Sequence, residues 1–463
     1  MKLEFLSLAS ISLAAISIDV NSRADVLKST QALAKNLMGY YPKPAFDGAI
    51  QNITFYESGI FWGVMMDYVQ ATGDQTYSTL IVNAITLASD RKSSNFLGSS
   101  PAFAETWLGV WNDDLLWWAM PAMTGAEIYG KDTMMPGGVT YGALSAFTTE
   151  QIWKFWDPSC GGGIFWFENS TLLIRRARDK SNKDAGKKTV ITNAQEIMMK
   201  ARMSLATGDK TLAQHASQIY TWLKARNLVK PTWHVADGLD ANAQCRVIET
   251  EHSYKNGILM AALAWLYKAS NDPVHLSDAH NIARTALATF TKRNIITDLC
   301  EPNCESKSVP PKGTFIRGLG YLFDLSPDAA LKASIKAALK DSVVAMLNSC
   351  DSQYNCGTNW SIGSPSGPNL RYTINSLELM TAYLKTFGVP PTKFQPPTSP
   401  PPTPVVPIIP TTTVSRPTTT IGVKTSTPAT VSNLSPAPTN GQMILTQSSI
   451  ILMIPFILSL MYF

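Results

Sequence analysis

The feature that most limits how this chain can fold is a short turn that recurs after helical segments. Each copy has a Gly or Asn that ends one helix and an Asp placed to cap the next. The copies read ATGDQTY at 71–77, IYGKDT at 128–133, ATGDKTL at 206–212 and ASNDPVHL at 269–276. Their aspartates, Asp74, Asp132, Asp209 and Asp272, are 58, 77 and 63 residues apart. Such a period fits a two-helix hairpin with its loops and indicates a stacked or closed array of these units.

The segments between the turns are predicted to be helical. Apolar residues recur at three-and-four spacing in GIFWGVMMDYV and GILMAALAWLYKAS, and strand-like alternation is scarce. Dividing a central region of about 370 residues by a period of about 62 gives six hairpins. We therefore predict an all-α fold, an (α/α)6 toroid of six helical hairpins around one cleft. An open solenoid is the alternative, which the lack of polar capping repeats in the sequence disfavours.

Both ends of the 463-residue chain differ from this helical region. Residues 1–17 combine Lys2 with a short apolar run and predict a secretory signal peptide, with a retained anchor as the alternative. Residues 18–389 form the predicted helical domain. Residues 390–440 are rich in Pro, Thr and Ser, which predicts an extended, O-glycosylated stalk.

The last segment, 441–463, predicts a glycosylphosphatidylinositol (GPI) attachment signal. Small residues around Asn440 precede a short spacer and an apolar tail that reaches the last residue. Asn440 is the predicted attachment site, and the lipid would hold the mature chain at the outer membrane face. A C-terminal transmembrane helix is the alternative, which the tail's length and Pro455 disfavour.

Export also accounts for the cysteines and the glycosylation motifs. Six cysteines in an exported chain predict disulfides rather than metal ligands, so neither a metal nor a cofactor is expected. Close spacing suggests the pairs Cys300–Cys304 and Cys350–Cys356, which would leave Cys160 with Cys245, although six cysteines allow other pairings. Four sequons predict N-glycosylation, at Asn52, Asn169, Asn359 and Asn433.

The charge distribution argues against nucleic acid as a partner. A formal charge of +5 is small for 463 residues, and no basic stripe carries interleaved aromatic residues. The one basic run, RRARDKSNKDAGKK at 175–188, is interrupted by acidic and amide residues and predicts a solvated loop.

The segment WNDDLLWW at 111–118 places the adjacent carboxylates of Asp113 and Asp114 among tryptophans. Asn112 or Asp113 could cap a helix that starts here, but capping explains one aspartate and not two. A DDxxD magnesium site fails because its third acidic position is Trp117. Glycoside hydrolysis needs two carboxyls, one to donate a proton and one to act on the anomeric carbon, and a gap of about 5 to 5.5 Å predicts retention. Mutual repulsion would keep one carboxyl protonated.

With these residues in view, the chain resembles glycoside hydrolase family 76, the α-1,6-mannanases, and within it the GPI-anchored fungal cell-wall proteins. The resemblance covers about residues 20–388. It rests on FYESG at 55–59, WNDDLLWW at 111–118, CGGGIFW at 160–166, TNA at 192–194 and EHSYKNG at 251–257. One departure is Asn193-Ala194, where the family usually has Asn-Gly, and it affects subsite specificity more than catalysis.

The resemblance implies an (α/α)6 fold and a retaining mechanism with Asp113 as nucleophile and Asp114 as general acid/base. It implies a mannan endo-1,6-α-mannosidase, or a transglycosidase that joins GPI-linked mannoproteins to wall glucan in cell-wall biogenesis. The expected ligands are α-mannan or GPI-core glycan, with wall glucan as the acceptor in transfer. A non-catalytic mannan-binding wall protein on the same fold is the alternative, which the intact pair disfavours.

Several side chains near the motifs are candidates for sugar contact, since indole and phenol rings stack on pyranose faces. They are Trp111, Glu57, Trp166, Asn193, Tyr254 and Asn256. Glu57 could instead be a helix-end charge, and His252 is predicted to be structural. The glycine run 161–163 is either a loop that lets backbone approach a sugar or a turn beside a disulfide.

Overall fold

The computed structural model describes residues 16–41, 48–89, 96, 110–168, 184–304, 311–363, 367–388 and 394–397. Several predictions fall outside these residues. They are the signal peptide before Ile16, nearly all of the stalk, the sequons at Asn169 and Asn433, the attachment site Asn440 and the tail 441–463.

Twelve α-helices contain most of the described residues and follow one another as six pairs. They are α1 Arg23–Met38, α2 Phe55–Thr72, α3 Ser78–Ala88, α4 Asn112–Tyr129, α5 Tyr141–Trp153, α6 Val190–Thr207, α7 Lys210–Ala225, α8 Ser253–Ser270, α9 Pro273–Thr289, α10 Pro311–Leu325, α11 Ala329–Asn348 and α12 Leu370–Lys385.

The even-numbered helices form a closed inner ring. Each packs against the next even-numbered helix in chain order, and α12 returns to pack against α2. The odd-numbered helices lie outside this ring, where α5 packs against α4 and α6, and α7 against α6 and α8. The fold is therefore the predicted (α/α)6 toroid, and the contact between α12 and α2 excludes an open solenoid.

Residue patterns explain which helices are inner and which are outer. Helix α2 is mostly apolar and has no exposed face, and fourteen of its eighteen residues are buried, as expected for a helix surrounded by neighbours. The outer helix α7 buries only one face. Its buried residues recur at three-and-four spacing and are Ala213, Ala216, Ile219, Tyr220, Trp222 and Leu223.

The predicted helix stops are confirmed. Gly73, Gly208 and Asn271 follow α2, α6 and α8 in the left-handed conformation, which Gly and Asn adopt most readily. Gly130 follows α4, also at positive φ.

The predicted aspartate caps are half correct. Asp209 and Asp272 cap α7 and α9, since their carboxylates accept hydrogen bonds from the backbone N–H groups of Thr211 and Val274. The caps predicted at Asp74 and Asp132 are wrong. Helix α3 begins only after Tyr77, and α5 begins after Thr140, whose hydroxyl accepts the capping bond instead. Both connections are longer than the repeat suggests.

The short strands lie in the segments that lead into inner helices. They are β1 Val110–Trp111, β2 Phe167–Glu168, β3 Lys187–Thr189, β4 Gly238–Asp240, β5 Arg246–Ile248, β6 Thr291–Lys292 and β7 Ile295–Ile296. Strands β1 and β2 pair, β3, β4 and β5 form one antiparallel sheet, and β6 pairs with β7. All of them therefore lie at the end of the ring where the inner helices begin.

Ion pairs formed by buried arginines join the inner helices. Arg317 of α10 contacts Asp67 of α2 at 3.4 Å and pairs with Glu378 of α12. Arg202 of α6 donates to Glu127 of α4 at 2.7 Å. Arg317 thus connects α10 both to its neighbour α12 and to α2, which is not adjacent to α10 in the ring.

All six cysteines are paired as the spacing suggested, in the disulfides Cys160–Cys245, Cys300–Cys304 and Cys350–Cys356. Of the two sequons within the described residues, Asn52 is exposed at a turn with φ of 67°. Asn359 is half-buried and its amide donates to the Pro302 carbonyl at 3.3 Å. Within the described ranges, no helix has the length and apolar content needed to cross a membrane.

Candidate active site

Asp113 and Asp114 lie in the first turn of α4, at the end of the ring where the inner helices begin. The capping alternative is wrong in detail, because the N-cap residue is Trp111 and no side chain caps this helix. The amide of Asn112 instead donates to the Phe165 carbonyl at 2.9 Å. Negative charge at a helix start is still favoured by the helix dipole. The two carboxyls are thus available for a role beyond capping.

A two-stranded ribbon fixes the start of α4. Trp111 of β1 pairs with Phe167 of β2, and the backbone N–H of Asn112 donates to the Trp166 carbonyl at 2.9 Å. The segment CGGGIFW is therefore attached to WNDDLLWW along its last residues. Two motifs that are far apart in sequence form one wall of the site.

Trp166 contacts the pair directly. Its indole N–H donates to Asp113 Oδ1 at 2.7 Å, a hydrogen bond to a charged acceptor when Asp113 is ionised. The ring is half-buried, with Trp111 beside it at 6.3 Å between ring centroids. Trp166 therefore fixes the Oδ1 atom of Asp113.

The two carboxyls differ in their electrostatics. Burial raises the pKa of Asp113 to about 7, against the opposing hydrogen bonds from Trp166 and the helix backbone. Burial, and after it the charge of Asp113, raises the pKa of Asp114 well above its usual range. Asp113 therefore ionises first and Asp114 keeps its proton, which is the division that an acid and a nucleophile require. Asp113 and Asp114 are 9% and 8% exposed, so neither is completely enclosed by the described residues.

Two phenols and a third carboxylate face the pair. Burial, with the nearby carboxylates, raises the pKa of Tyr56 and of Tyr254, so both stay protonated and can donate hydrogen bonds. The charge of Asp237 contributes to the raised pKa of both Asp113 and Tyr254. The Lys255 ammonium donates to Asp237 at 2.9 Å. Tyr254 was predicted as a sugar contact, whereas Tyr56 and Asp237 were missed. Tyr56 lies inside the FYESG motif, which was the available signal.

Glu57 is fully buried at the start of α2 and its oxygens contact protein donors. It accepts from the backbone N–H and the hydroxyl of Thr54 at 2.7 and 3.0 Å. Arg371 donates to it twice, at 2.6 and 3.0 Å. These contacts support its alternative reading as a helix-end charge. Arg371, which is 314 residues away, carried no local sequence signal.

Asn193 and Asn256 are also fully buried. Asn193 accepts from the Ile164 N–H at 2.9 Å and donates to the carbonyls of Ile164 and Thr189 at 3.1 and 2.8 Å. Asn256 donates to the His252 carbonyl at 2.9 Å. These contacts hold the backbone around the site. The predicted sugar contacts by Glu57, Asn193 and Asn256 thus have no support from their positions, whereas Trp111, Trp166 and Tyr254 are half-buried beside the pair.

The glycine run 161–163 forms a turn beside a disulfide rather than a free loop. Gly162 and Gly163 have φ of 133° and 95°, and a Cβ on either would come within 2.5 Å of the rings of Trp156 and Trp222. The preceding Cys160 is bonded to Cys245. This decides between the two alternatives for the motif in favour of the turn.

Metal ligation has no candidate site in the part of the chain that the structure describes. No group of three or more His, Cys, Asp or Glu side chains there is arranged to hold a metal ion.

His252, predicted to be structural, stacks on Tyr254 at 5.6 Å and lies at the start of α8.

Curated proteins with similar sequences carry mannosidase names. Mannan endo-1,6-alpha-mannosidase DCW1 of Saccharomyces cerevisiae is 26% identical over 384 residues, which cover 79% of this chain and 80% of that protein. Mannan endo-1,6-alpha-mannosidase DFG5 of Candida albicans is 22% identical over 404 residues, covering 83% and 85% respectively.

Solved structures share the fold. Dfg5 from Chaetomium thermophilum, crystallised with glucosamine, matches with a TM-score of 0.70 at 22% identity, covering 81% of this chain and 94% of that one. An inactive variant of the α-1,6-mannanase GH76A of Salegentibacter sp. HEL1_6, in complex with α-1,6-mannotriose, matches with a TM-score of 0.64 at 17% identity, covering 78% and 100%. The profile of glycosyl hydrolase family 76 matches residues 25–393, most of the chain. The protein therefore belongs to glycosyl hydrolase family 76.

Proposed function

We propose that the protein cleaves or transfers α-1,6-mannosyl linkages with retention of configuration, with Asp113 as nucleophile and Asp114 as general acid/base. The observation that carries this proposal is the unequal environment of two adjacent carboxyls. The Trp166 N–H favours the ionised form of Asp113, whereas burial and the charge of Asp113 keep Asp114 protonated. The relatives named mannan endo-1,6-alpha-mannosidases support the linkage. The bacterial neighbour inactivated at two consecutive aspartates supports the use of such a pair.

The reaction has two displacement steps. In the first, Asp113 attacks the anomeric carbon, the glycosidic bond breaks, and its electron pair leaves on the oxygen that Asp114 protonates. A covalent mannosyl ester of Asp113 results. In the second, Asp114 removes a proton from water or from a glycan hydroxyl, which attacks the same carbon and releases Asp113. Water gives hydrolysis, whereas a glycan hydroxyl gives transfer.

The surrounding rings provide the sugar-binding surface. Trp111, Trp166 and Tyr254 are half-buried, so each presents ring surface that can stack on a pyranose while losing little entropy. The protonated phenols of Tyr56 and Tyr254 can donate to sugar hydroxyls beside the pair. This arrangement suits a mannan chain or a GPI-core glycan that enters from the end of the ring bearing the strands.

The test of this function is product analysis with a defined substrate. The purified protein is incubated with an α-1,6-mannotetraose or a GPI-core glycan in ¹⁸O-labelled water, with and without a β-glucan oligosaccharide. We expect shortened mannosides that carry ¹⁸O at the reducing end, and a mass-shifted glucan when transfer occurs. Binding of the mannoside without any new product would favour the alternative, a non-catalytic mannan-binding wall protein.

We further propose that the protein is exported and GPI-anchored at the outer face of the plasma membrane, with a role in the fungal cell wall. Three disulfides that pair all six cysteines suit an oxidising compartment. Phosphatidylinositol-specific phospholipase or hydrofluoric acid is expected to release the protein from membranes or wall. Mass spectrometry of the mature protein should then find a modified Asn440. Recovery of the peptide that ends in Phe463 would contradict the anchor.

A further inference from the structure

Lys188 is a fully buried lysine in β3, immediately before inner helix α6. Its ammonium donates to the carbonyls of Asp157, Ser159 and Gly162 at 2.8, 2.7 and 2.8 Å. It also lies 3.2 Å from a carboxylate oxygen of Asp157. All of these acceptors belong to the turn 157–163, which contains the glycine run.

These hydrogen-bond acceptors favour a positively charged group among them. An ammonium taken out of water costs several kcal/mol unless hydrogen bonds and opposite charge compensate. Here three carbonyls and one carboxylate surround it, and the Phe165 ring lies 4.6 Å from it. Without the ammonium, the carbonyl dipoles would point at one another and repel. Lys188 therefore holds the turn 157–163 in shape from inside.

The turn leads within a few residues to the nucleophile. Ile164 follows the glycine run and is held on both its N–H and its carbonyl by Asn193. Trp166 comes two residues later, and its backbone N–H donates to the Lys187 carbonyl at 2.8 Å, next to Lys188 itself. Its indole then donates to Asp113. Lys188 therefore supports Trp166 in two ways. Its ammonium holds the turn that precedes Trp166, and its strand provides the carbonyl that accepts from the Trp166 N–H.

We propose that Lys188 is a positioning residue for the mannosyl-transfer reaction, which sets the indole of Trp166 against Asp113 through the turn 157–163 and β3. The inference rests on the roles proposed above for Asp113 and Asp114. It also gives the glycine run a function, because the Gly162 carbonyl accepts a hydrogen bond from an internal ammonium.

The test compares Lys188→Met with Trp166→Phe and with the double variant. Loss of the indole bond removes a donor that favours ionised Asp113, so its pKa should rise further and the acid limb of the kcat/KM profile should move to higher pH. The groups that also face Asp113 are Asp114, Asp237, Tyr56 and Tyr254, and none is changed. Each single variant should lose about 10- to 100-fold in kcat, and Lys188→Met, which keeps the Trp166 ring, should do so with little change in KM. The double variant should lose no more than Trp166→Phe.

Lys200→Met is the matched control. Lys200 is equally buried and also lies over a ring, that of Trp153 at 4.7 Å, but its ion pair is with Glu196 of the same helix. It should keep the parental acid limb. An unshifted limb in Lys188→Met, an additive double variant, or the same shift in Lys200→Met would each overturn the inference.

A milder variant covers the case in which Lys188→Met does not fold, as judged by thermal melting. Asp157→Asn removes only the carboxylate facing the ammonium and should shift the acid limb in the same direction by less; an unchanged limb would refute the inference. Trapping with a fluorinated mannosyl donor separates the two proposals. A parent enzyme labelled away from Asp113 would overturn the nucleophile role, and this inference with it. If the parent is labelled on Asp113 but Lys188→Met leaves the acid limb unchanged, the inference about Lys188 is overturned and the nucleophile role of Asp113 stands.

Discussion

Asp113→Asn is expected to lower turnover of an α-1,6-mannoside by about 10⁴-fold or more, because an amide cannot supply the attacking oxyanion. The swap is nearly isosteric, and an amide can still accept the indole hydrogen bond of Trp166, so the thermal transition should stay close to the parent's. The measurement is intact-protein mass after exposure to a fluorinated mannosyl donor with a good leaving group. The parent should carry one trapped sugar on Asp113, and Asp113→Asn should carry none.

The control for this variant is Asp132→Asn, whose side chain is 84% exposed and pairs with Lys131 on the surface. It should be labelled like the parent. Parental turnover in Asp113→Asn, or a label that maps to Asp114 or Asp237, would show that another carboxylate is the nucleophile. A second readout follows from the charge of Asp113, which raises the pKa of Asp114. Removing that charge should lower the pKa of Asp114.

The ring itself was predictable because its signals are local. A left-handed Gly73 or Asn271 ends a helix whatever surrounds it, and Asp209 caps the helix that begins at the next residue by accepting from the N–H two residues on. The caps at Asp74 and Asp132 failed because tertiary context moved the next helix start beyond them. Closure of the ring depends on contacts between α12 and α2, about which the local pattern says little.

The pair was predictable for the same reason, since two adjacent acids among tryptophans have few structural uses. The residues that support the pair could not be predicted from the sequence. Glu57 meets Arg371 across 314 residues, and Asp237 reaches the site from a loop with no motif. A buried Lys188 looks in sequence like part of a basic, solvated run. Residues 175–183 of that run lie outside the described residues, whereas Lys188 is fully buried beside the site.

These supports also explain why adjacent acids can take different roles. Neighbouring residues at a helix start share the same dipole, so the helix alone would treat Asp113 and Asp114 alike. The difference arises from Trp166, which donates to Asp113, and from Asp113 itself, whose charge acts on Asp114. The division of labour therefore depends on the CGGGIFW segment as much as on the pair.

Asp114→Asn should consequently slow formation of the mannosyl ester of Asp113. The effect should be largest for leaving groups that cannot depart without a proton. Turnover of an unactivated mannoside should fall by about 10²- to 10⁴-fold, the usual contribution of general acid–base catalysis. An aryl mannoside with an acidic phenol leaves without protonation, so its glycosylation rate should be partly restored. The basic limb of the pH profile should vanish, since that limb reflects loss of the Asp114 proton in the parent.

The measurement is a series of aryl mannosides of graded leaving-group acidity, followed by release of the phenol. The parent should depend weakly on the phenol's pKa and Asp114→Asn steeply, because only the parent can protonate the departing oxygen. Equal dependence in both would exclude Asp114 as the acid and would point to Tyr56, Tyr254 or Asp237, the other titratable groups near the pair. If Asp114→Asn shows a steep dependence but keeps the basic limb, Asp114 is the proton donor and another group is responsible for the basic limb.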